Sequence, residues 1–518
     1  MQANIRAMRC DSWIAPAIAD RRCMATDATA AFSSQPSRHA RRWPGFLLVF
    51  LLCLPALAPL VVIFSAITTP EVDVWAHLAR YVLPEVVANT LWLVVGVALV
   101  AGLLGTVLAW LTAICEFPGR RFFDWALLLP LAIPAYVLAF VAVGFLDYAG
   151  PMQSWLRDVF GSSRWTPQIR STGGVIFVLS LALYPYVYLL ARSAFLTQGR
   201  RALEAAQTLG LSREAAAWRV ALPLARPWIA AGVALVCMET LADFGAVSVF
   251  NYNTFTTAIY RAWFGMFSVH AALELAAILM AFVFAALVLE RRARAGARFA
   301  NVRDAAFESP RFALRGPTRW AATAFAASVF AVAFMLPVLQ LLWWVAERAT
   351  SDLDARYWGF VARSLLLAGS GAFVIVAASL LLAYVVRRQN TWFVRGLVRM
   401  ATMGYAVPGT VLAVGVLAPL AALNNGVQEA LRLLLGESVA IPLLQGTLAA
   451  VLLAYLARFL AVGFNPIESG MQRITQSVDE AAISLGVVRT RLVRKVHIPL
   501  LRTSLATSAT LVFVDVMK

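Results

Sequence analysis

The sequence predicts an all-α polytopic membrane protein built from two parallel six-span repeats, with about 12 transmembrane helices in the complete protein. Three observations predict it: an apolar composition, recurring long apolar runs, and one segment that occurs twice. Of 518 residues, 61% are hydrophobic and 14% charged. Ordinary globular chains are roughly a quarter charged. Mean hydropathy is +0.75. About twenty apolar residues suffice to cross a hydrocarbon core of about 30 Å. Lipid cannot satisfy backbone polar groups, so a crossing segment is a helix or part of a closed barrel. The runs are long and lack period-2 alternation, which selects helices.

The elements follow in order. Residues 1–43 are polar and alanine-rich and read as a disordered tail. The first apolar run, about Phe46–Ile67, has no convincing small-residue cleavage site and reads as an uncleaved span. Further runs lie near Val87–Ile114, Phe122–Leu146, Gly173–Leu196, Trp228–Phe250 and Ala271–Leu289, completing a first half at 44–290. Residues 291–319, rich in arginine, form a polar linker. The second half, 320–518, repeats the scheme with runs at about Trp320–Ala346, Phe360–Val386, Val398–Leu420 and Val439–Phe464. An eleventh run begins near Leu500, and the sequence stops within it at Lys518. By analogy with residues 244–290, roughly 45–50 more residues and a twelfth span are expected.

Glu204-Ala205-Ala206 is followed by Gly210, Val220, Leu222 and Pro223; Glu480-Ala481-Ala482 is followed by Gly486, Val496, Ile498 and Pro499. In both copies glycine lies six residues after the glutamate and proline nineteen. Ile133-Pro134 likewise corresponds to Val407-Pro408, and Glu239 to Asp515. Six spans per half is an even number, so both halves cross the bilayer in the same direction. The arginines gather on one set of loops, including both repeated segments, while Glu71, Asp73, Glu85, Asp147, Asp352 and Asp354 lie on the opposite set. The positive-inside rule makes the arginine-rich side cytoplasmic, with the N-terminus. Arg157, Arg164 and Arg170 are exceptions on the far side.

Each repeated segment predicts two short helices with a turn at Gly210 or Gly486, since glycine reaches left-handed angles at little cost. Leu211–Val220 and Val487–Val496 form the second helix, closed by Pro223 and Pro499. Pro134 and Pro408 interrupt apolar spans at equivalent places and are candidate hinges or packing kinks. Glu239 lies inside the fifth span, with Asp243 one turn later on the same face and Asp515 as its counterpart. A central acid costs about 2.5–3.5 kcal/mol on insertion scales, so such residues face a bundle interior or cavity. They are candidates for a polar pathway lining; a helix–helix hydrogen bond, with Arg261 as partner, is the structural alternative. Asp124, near a span's edge, anchors there.

The net charge of +17 resides in short loops beside spans, which excludes a nucleic-acid partner in favour of the bilayer. The five cysteines and four histidines are scattered without metal-ligand spacing. No phosphate loop occurs, and no nucleophile–base constellation suggests an enzyme.

The twin Glu-Ala-Ala segments, at 198–226 and 466–502, resemble the EAA loops of permeases in ATP-binding-cassette importers. The run Glu239–Ala246, then Phe255–Met266, and finally Phe513–Lys518 looks like the fused ferric-iron permeases, a resemblance covering about residues 46–518. It implies that Glu204, Ala205, Ala206, Gly210, Pro223 and Glu480, Ala481, Ala482, Gly486, Pro499 couple the chain to a homodimeric cytoplasmic ATPase, which binds ATP and magnesium. It further implies a bacterial inner-membrane location, a periplasmic binding protein that does the chelating, and no cofactor or resident metal on this chain. Thiamine, phosphonate and polyamine importers share the architecture. An ion-coupled secondary transporter with parallel repeats matches the span count but leaves the twin segments unexplained.

Overall fold

The computed structural model describes residues 43–68, 72–161, 168–294, 311–389, 391–435, 446–487 and 490–518. Residues 1–42 of the expected tail, 295–310 of the expected linker, and Arg164 lie outside the described residues. Among the described residues, ten helices are long and apolar enough to cross a membrane. They are Gly45–Ala66, Trp75–Ile114, Ala135–Phe160, Thr172–Thr197, Ala217–Ala242, Val269–Leu289, Pro317–Ala349, Ala355–Arg388, Gly409–Leu433 and Leu448–Arg473. A bent pair, Val493–Leu500 with Arg502–Met517, turns through 71° and, counted as one span, is an eleventh. The chain is all-helical apart from one two-residue strand pair among the described residues.

Three local features differ from what the sequence predicts, each for a backbone reason. Pro223 does not close the second helix of its segment, whereas the helix at Pro499 ends one residue later, at Leu500. A single π turn, Ala217–Ala221 or Val493–His497, immediately precedes each, and the helical backbone continues through the proline. The wider turn accommodates the missing N–H of proline; the first segment runs directly into the next span, while the second bends by 71° at Leu501 before Arg502–Met517. Pro134 and Pro408 do more than kink their spans. Leu129–Ala132 and Met403–Ala406 are 3-10 turns, Ile133 and Val407 are extended with ψ 121 and 124, and the helix restarts at Ala135 and Gly409. The residue before proline is driven to extended angles, and these two spans are broken at matching points.

Asp243 supplies the third correction. The fifth span ends at Ala242; Asp243 takes φ −68, ψ 127 and its Oδ1 accepts the Val247 N–H at 3.0 Å, capping the short helix Gly245–Val249. It is therefore not one turn beyond Glu239 on a common helix face. Aspartate competes for nearby backbone N–H groups and favours such cap positions over helix interiors.

Two hydrophobic cores hold the bundle, and they do not coincide with the two halves. The first span places Val49, Cys53, Ala56 and Ile63 in a core with Val411, Leu412, Ala457 and Leu460 of the second half. In return, Ala322, Ala326, Val329 and Phe330 of Pro317–Phe330 join the core of Phe123, Leu127 and Tyr184. Phe122 meets Phe330 edge-on at 5.4 Å, and Thr323 Oγ1 donates to the Pro118 carbonyl at 2.9 Å. Each half's leading helix thus packs on the other half. Cys115–Glu116 pairs in parallel with Phe312–Ala313, tying the end of the expected linker to the second span.

Small residues set the closest helix approach. A Cβ on Gly105 would lie 2.8 Å from the Tyr184 carbonyl oxygen, and one on Gly232 2.7 Å from the Val187 Cα. The fourth span is therefore gripped from both sides by glycine-lined helices, as small-residue packing in membranes allows. Two of the exceptional arginines are locally engaged: Arg170 Nε pairs with Asp147 at 3.0 Å, and Arg157 donates to the Tyr148 carbonyl at 2.7 Å.

Candidate functional site

The two Glu-Ala-Ala segments fold alike. Helices Arg200–Thr208 and Gln476–Ser484 end at Gly210 (φ +88) and Gly486 (φ +77). Gly210 N–H donates to the Gln207 carbonyl at 2.9 Å and Leu211 N–H to Ala206 at 3.1 Å; Gly486 and Val487 make the same bonds to Ile483 and Ala482, both at 2.9 Å. This is a Schellman termination, which needs a left-handed residue at that position. In each copy the glutamate and first alanine (Glu204, Ala205; Glu480, Ala481) are exposed, while Ala206 and Ala482 pack inward. Leu209 and Leu485, directly before the glycines, are 85% and 82% exposed. The sequence reading passed over these leucines, although their equivalent spacing was visible.

The two copies are anchored differently. Leu203 is buried beneath the first. At the equivalent position of the second stands Asp479, whose Oδ2 accepts Arg387 Nε at 2.7 Å and whose Oδ1 lies 2.8 Å from His497 Nε2. Arg387 also donates to the carbonyls of Met471 at 2.8 Å and Ile474 at 2.9 Å, joining the ends of two spans to the segment. Partial burial works against the Asp479 carboxylate, but the hydrogen bonds from His497 and Arg387 outweigh it and hold its pKa below the ordinary 3.8. A depressed carboxylate stabilises the fold fully above its ordinary pKa, and the contribution disappears as pH falls through the depressed value. Asp479→Asn is expected to cost about 2 kcal/mol at pH 7 by weakening charge-assisted bonds. Thermal unfolding checks this: the Tm gap to wild type should be open at pH 7 and narrow below about pH 4. Asp124, expected at a span edge, forms a two-pronged pair with Arg192 at 2.7 and 2.6 Å.

Between the halves lies a cavity of about 630 Å³. Glu239, Asp243 and Asp515 all line it, as do Tyr186, Tyr405 and Arg458. Pro134 lines it directly; on the other side the lining residue is Gly409, next to Pro408. The fourth and tenth spans, the proline breaks, and the ends of Leu222–Ala242 and Arg502–Met517 therefore converge on one polar space. Arg261, the expected partner for Glu239, instead donates to Asn251 Oδ1 at 3.2 Å. Among the described residues no three His, Cys, Asp or Glu side chains cluster to chelate an ion. The sequence reading missed Arg458, although an arginine within an apolar run is itself a signal.

Residues 101–289 and 375–518 match the family described as "binding-protein-dependent transport system inner membrane component", over more than half of the chain. The chain belongs to this family. It is a permease component with duplicated halves, not itself an enzyme, and membership implies partnership with an ATPase and a binding protein. It is similar, at 24% identity over 491 residues, to the Fe(3+)-transport system permease protein FbpB 2 of Haemophilus influenzae, covering 91% of this chain and 87% of that one. The putative ferric transport system permease protein FbpB 1 of the same organism is 24% identical over 499 residues, 91% of this chain and 75% of that one. The sulfate transport system permease protein CysW of Escherichia coli is 32% identical over 199 residues, covering 37% of this chain and 65% of its own length.

Proposed function

We propose that this permease imports ferric iron, handed over by a periplasmic binding protein and driven by a homodimeric cytoplasmic ATPase. The extent of likeness supports iron: relatives named for ferric transport align over 91% of the chain, the sulfate permease over 37%. Ferric iron is a hard cation that prefers oxygen, and the cavity offers carboxylates and tyrosine hydroxyls. Glu204 and Glu480, with Leu209 and Leu485 projecting beside them, form the faces offered to the ATPase, one segment per protomer. The segments transmit its opening and closing into the fifth and eleventh spans, with which they are continuous or nearly so. Glu239, Asp243 and Asp515 line the path, and the breaks at Pro134 and Pro408 serve as hinges. The test is ATP-dependent uptake of radioactive iron by vesicles holding permease, ATPase and binding protein. Uptake of thiamine or sulfate in place of iron would overturn the cargo.

In this orientation the repeated segments are cytoplasmic. Ser212→Cys and Ser484→Cys, in a background lacking the native cysteines, are expected to resist membrane-impermeant thiol reagents in intact cells. Ala355→Cys, exposed at the opposite end of the eighth span, should react. Labelling of Ser212→Cys from outside would reverse the orientation.

A further inference from the structure

We propose that Arg458 is an anion-binding residue of the transport cavity, and that the cargo crosses as a cation–oxyanion complex. In that arrangement the metal faces Glu239 and Asp515 while the oxyanion faces Arg458. The proposal rests on the iron reading above and deepens it.

The placement of Arg458 carries the argument. It lies within the tenth span, Leu448–Arg473, is half-buried, and lines the cavity with the acids. Its Nη1 reaches the Val407 carbonyl only at 3.4 Å, and its guanidinium carbon lies 5.7 Å from the Phe459 ring centroid. No carboxylate lies within 4.0 Å of it among the described residues. A guanidinium stays charged in any protein environment. Within a span such a charge is costly and is retained where a partner compensates it.

Symmetry isolates the residue further. Glu239 and Asp515 are equivalent positions and both are acidic, so the two halves contribute negative charge alike. The position equivalent to Arg458 is Ala182, which lines the same cavity. An alanine therefore suffices for packing in that slot, and the guanidinium adds positive charge to the second half's wall, where Lys518 also lines the cavity with its amine on the Leu131 carbonyl at 3.1 Å. For a bare trivalent cation that charge is an electrostatic obstacle. For a cation carrying an oxyanion it is a contact, because a guanidinium presents parallel N–H donors that match two oxyanion oxygens. An oxyanion also meets the oxygen preference of ferric iron and reduces the net charge that must pass through lipid.

The competing role is that of an internal counter-ion balancing Glu239, within whose electrostatic reach Arg458 lies. Vesicles containing the complete transporter, with binding protein and ATPase, separate the two. Radioactive iron is supplied with radiolabelled phosphate in one arm and radiolabelled citrate in the other, and both isotopes inside are counted. The expected result is co-entry of iron with one of the two anions at a fixed ratio in wild type. Arg458→Gln should lower iron entry at least tenfold and abolish anion entry, while Arg458→Lys restores part of both at the same ratio. Yield of the assembled complex for each variant normalises the counts. Iron entering wild type with neither anion, or undiminished iron and anion entry in Arg458→Gln, would overturn the proposal. No iron entry in wild type, with phosphate entering alone, would overturn the iron reading and with it the paired cargo.

Discussion

Replacing Glu239 by Gln together with Asp515 by Asn is expected to abolish most transport while leaving the complex assembled. Both acids line one cavity, contributed from equivalent positions of the two halves. Each neutral amide keeps the shape of the side chain but gives up a charge. A charge-assisted contact contributes roughly 1.5–3 kcal/mol, so loss of one alone corresponds to a decrease of about tenfold or more. The double variant should therefore fall by well over an order of magnitude in uptake per assembled complex. A purely structural pair predicts the reverse order, with protein yield falling before uptake per complex changes. Unchanged uptake per complex in the double variant would remove both residues from the path.

Gly210→Pro and Gly486→Pro should be nearly as damaging by a different route. Both glycines sit at left-handed angles, φ +88 and +77, and both donate their N–H to a helix carbonyl. Proline is locked near φ −65 and has no N–H, so the turn between the two short helices cannot form. Glycine to alanine keeps the donor and adds a left-handed penalty of about 1–2 kcal/mol, a milder change. The expected order of transport is wild type, then alanine, then proline, with ATP hydrolysed per ion imported rising in the same order. An unchanged ratio of ATP to cargo in both proline variants would sink the coupling role.

The fold class was legible because hydrophobic length is a one-dimensional signal that lipid enforces. The turns at Gly210 and Gly486 were legible because only a few residues tolerate those angles. The continuation through Pro223 was not: proline usually ends a helix, and nothing local announces a π turn before it. Asp243 was misplaced because a helical pattern run from Trp228 to Phe250 hides a break that its own carboxylate caps. The gathering of Glu239, Asp515 and Arg458 around one space depends on how the halves pack, which a repeat offset does not encode.

The exchange of leading helices between the two cores also orders the birth of the molecule. Some partners of Gly45–Ala66 lie in its own half, in Val269–Leu289, but others lie in Gly409–Leu433 and Leu448–Arg473, more than three hundred residues later. At roughly 5–20 residues per second of synthesis, the first helix waits about 20–80 s in the bilayer for these later neighbours. During that interval the part of its face that they will cover is open to lipid or to an insertion chaperone. A ribosome stalled in the middle of the message would leave that part of the face uncovered, a ready target for membrane proteolysis. Fusion of both halves in one polypeptide guarantees that each waiting helix meets its partner in equal number and at high local concentration.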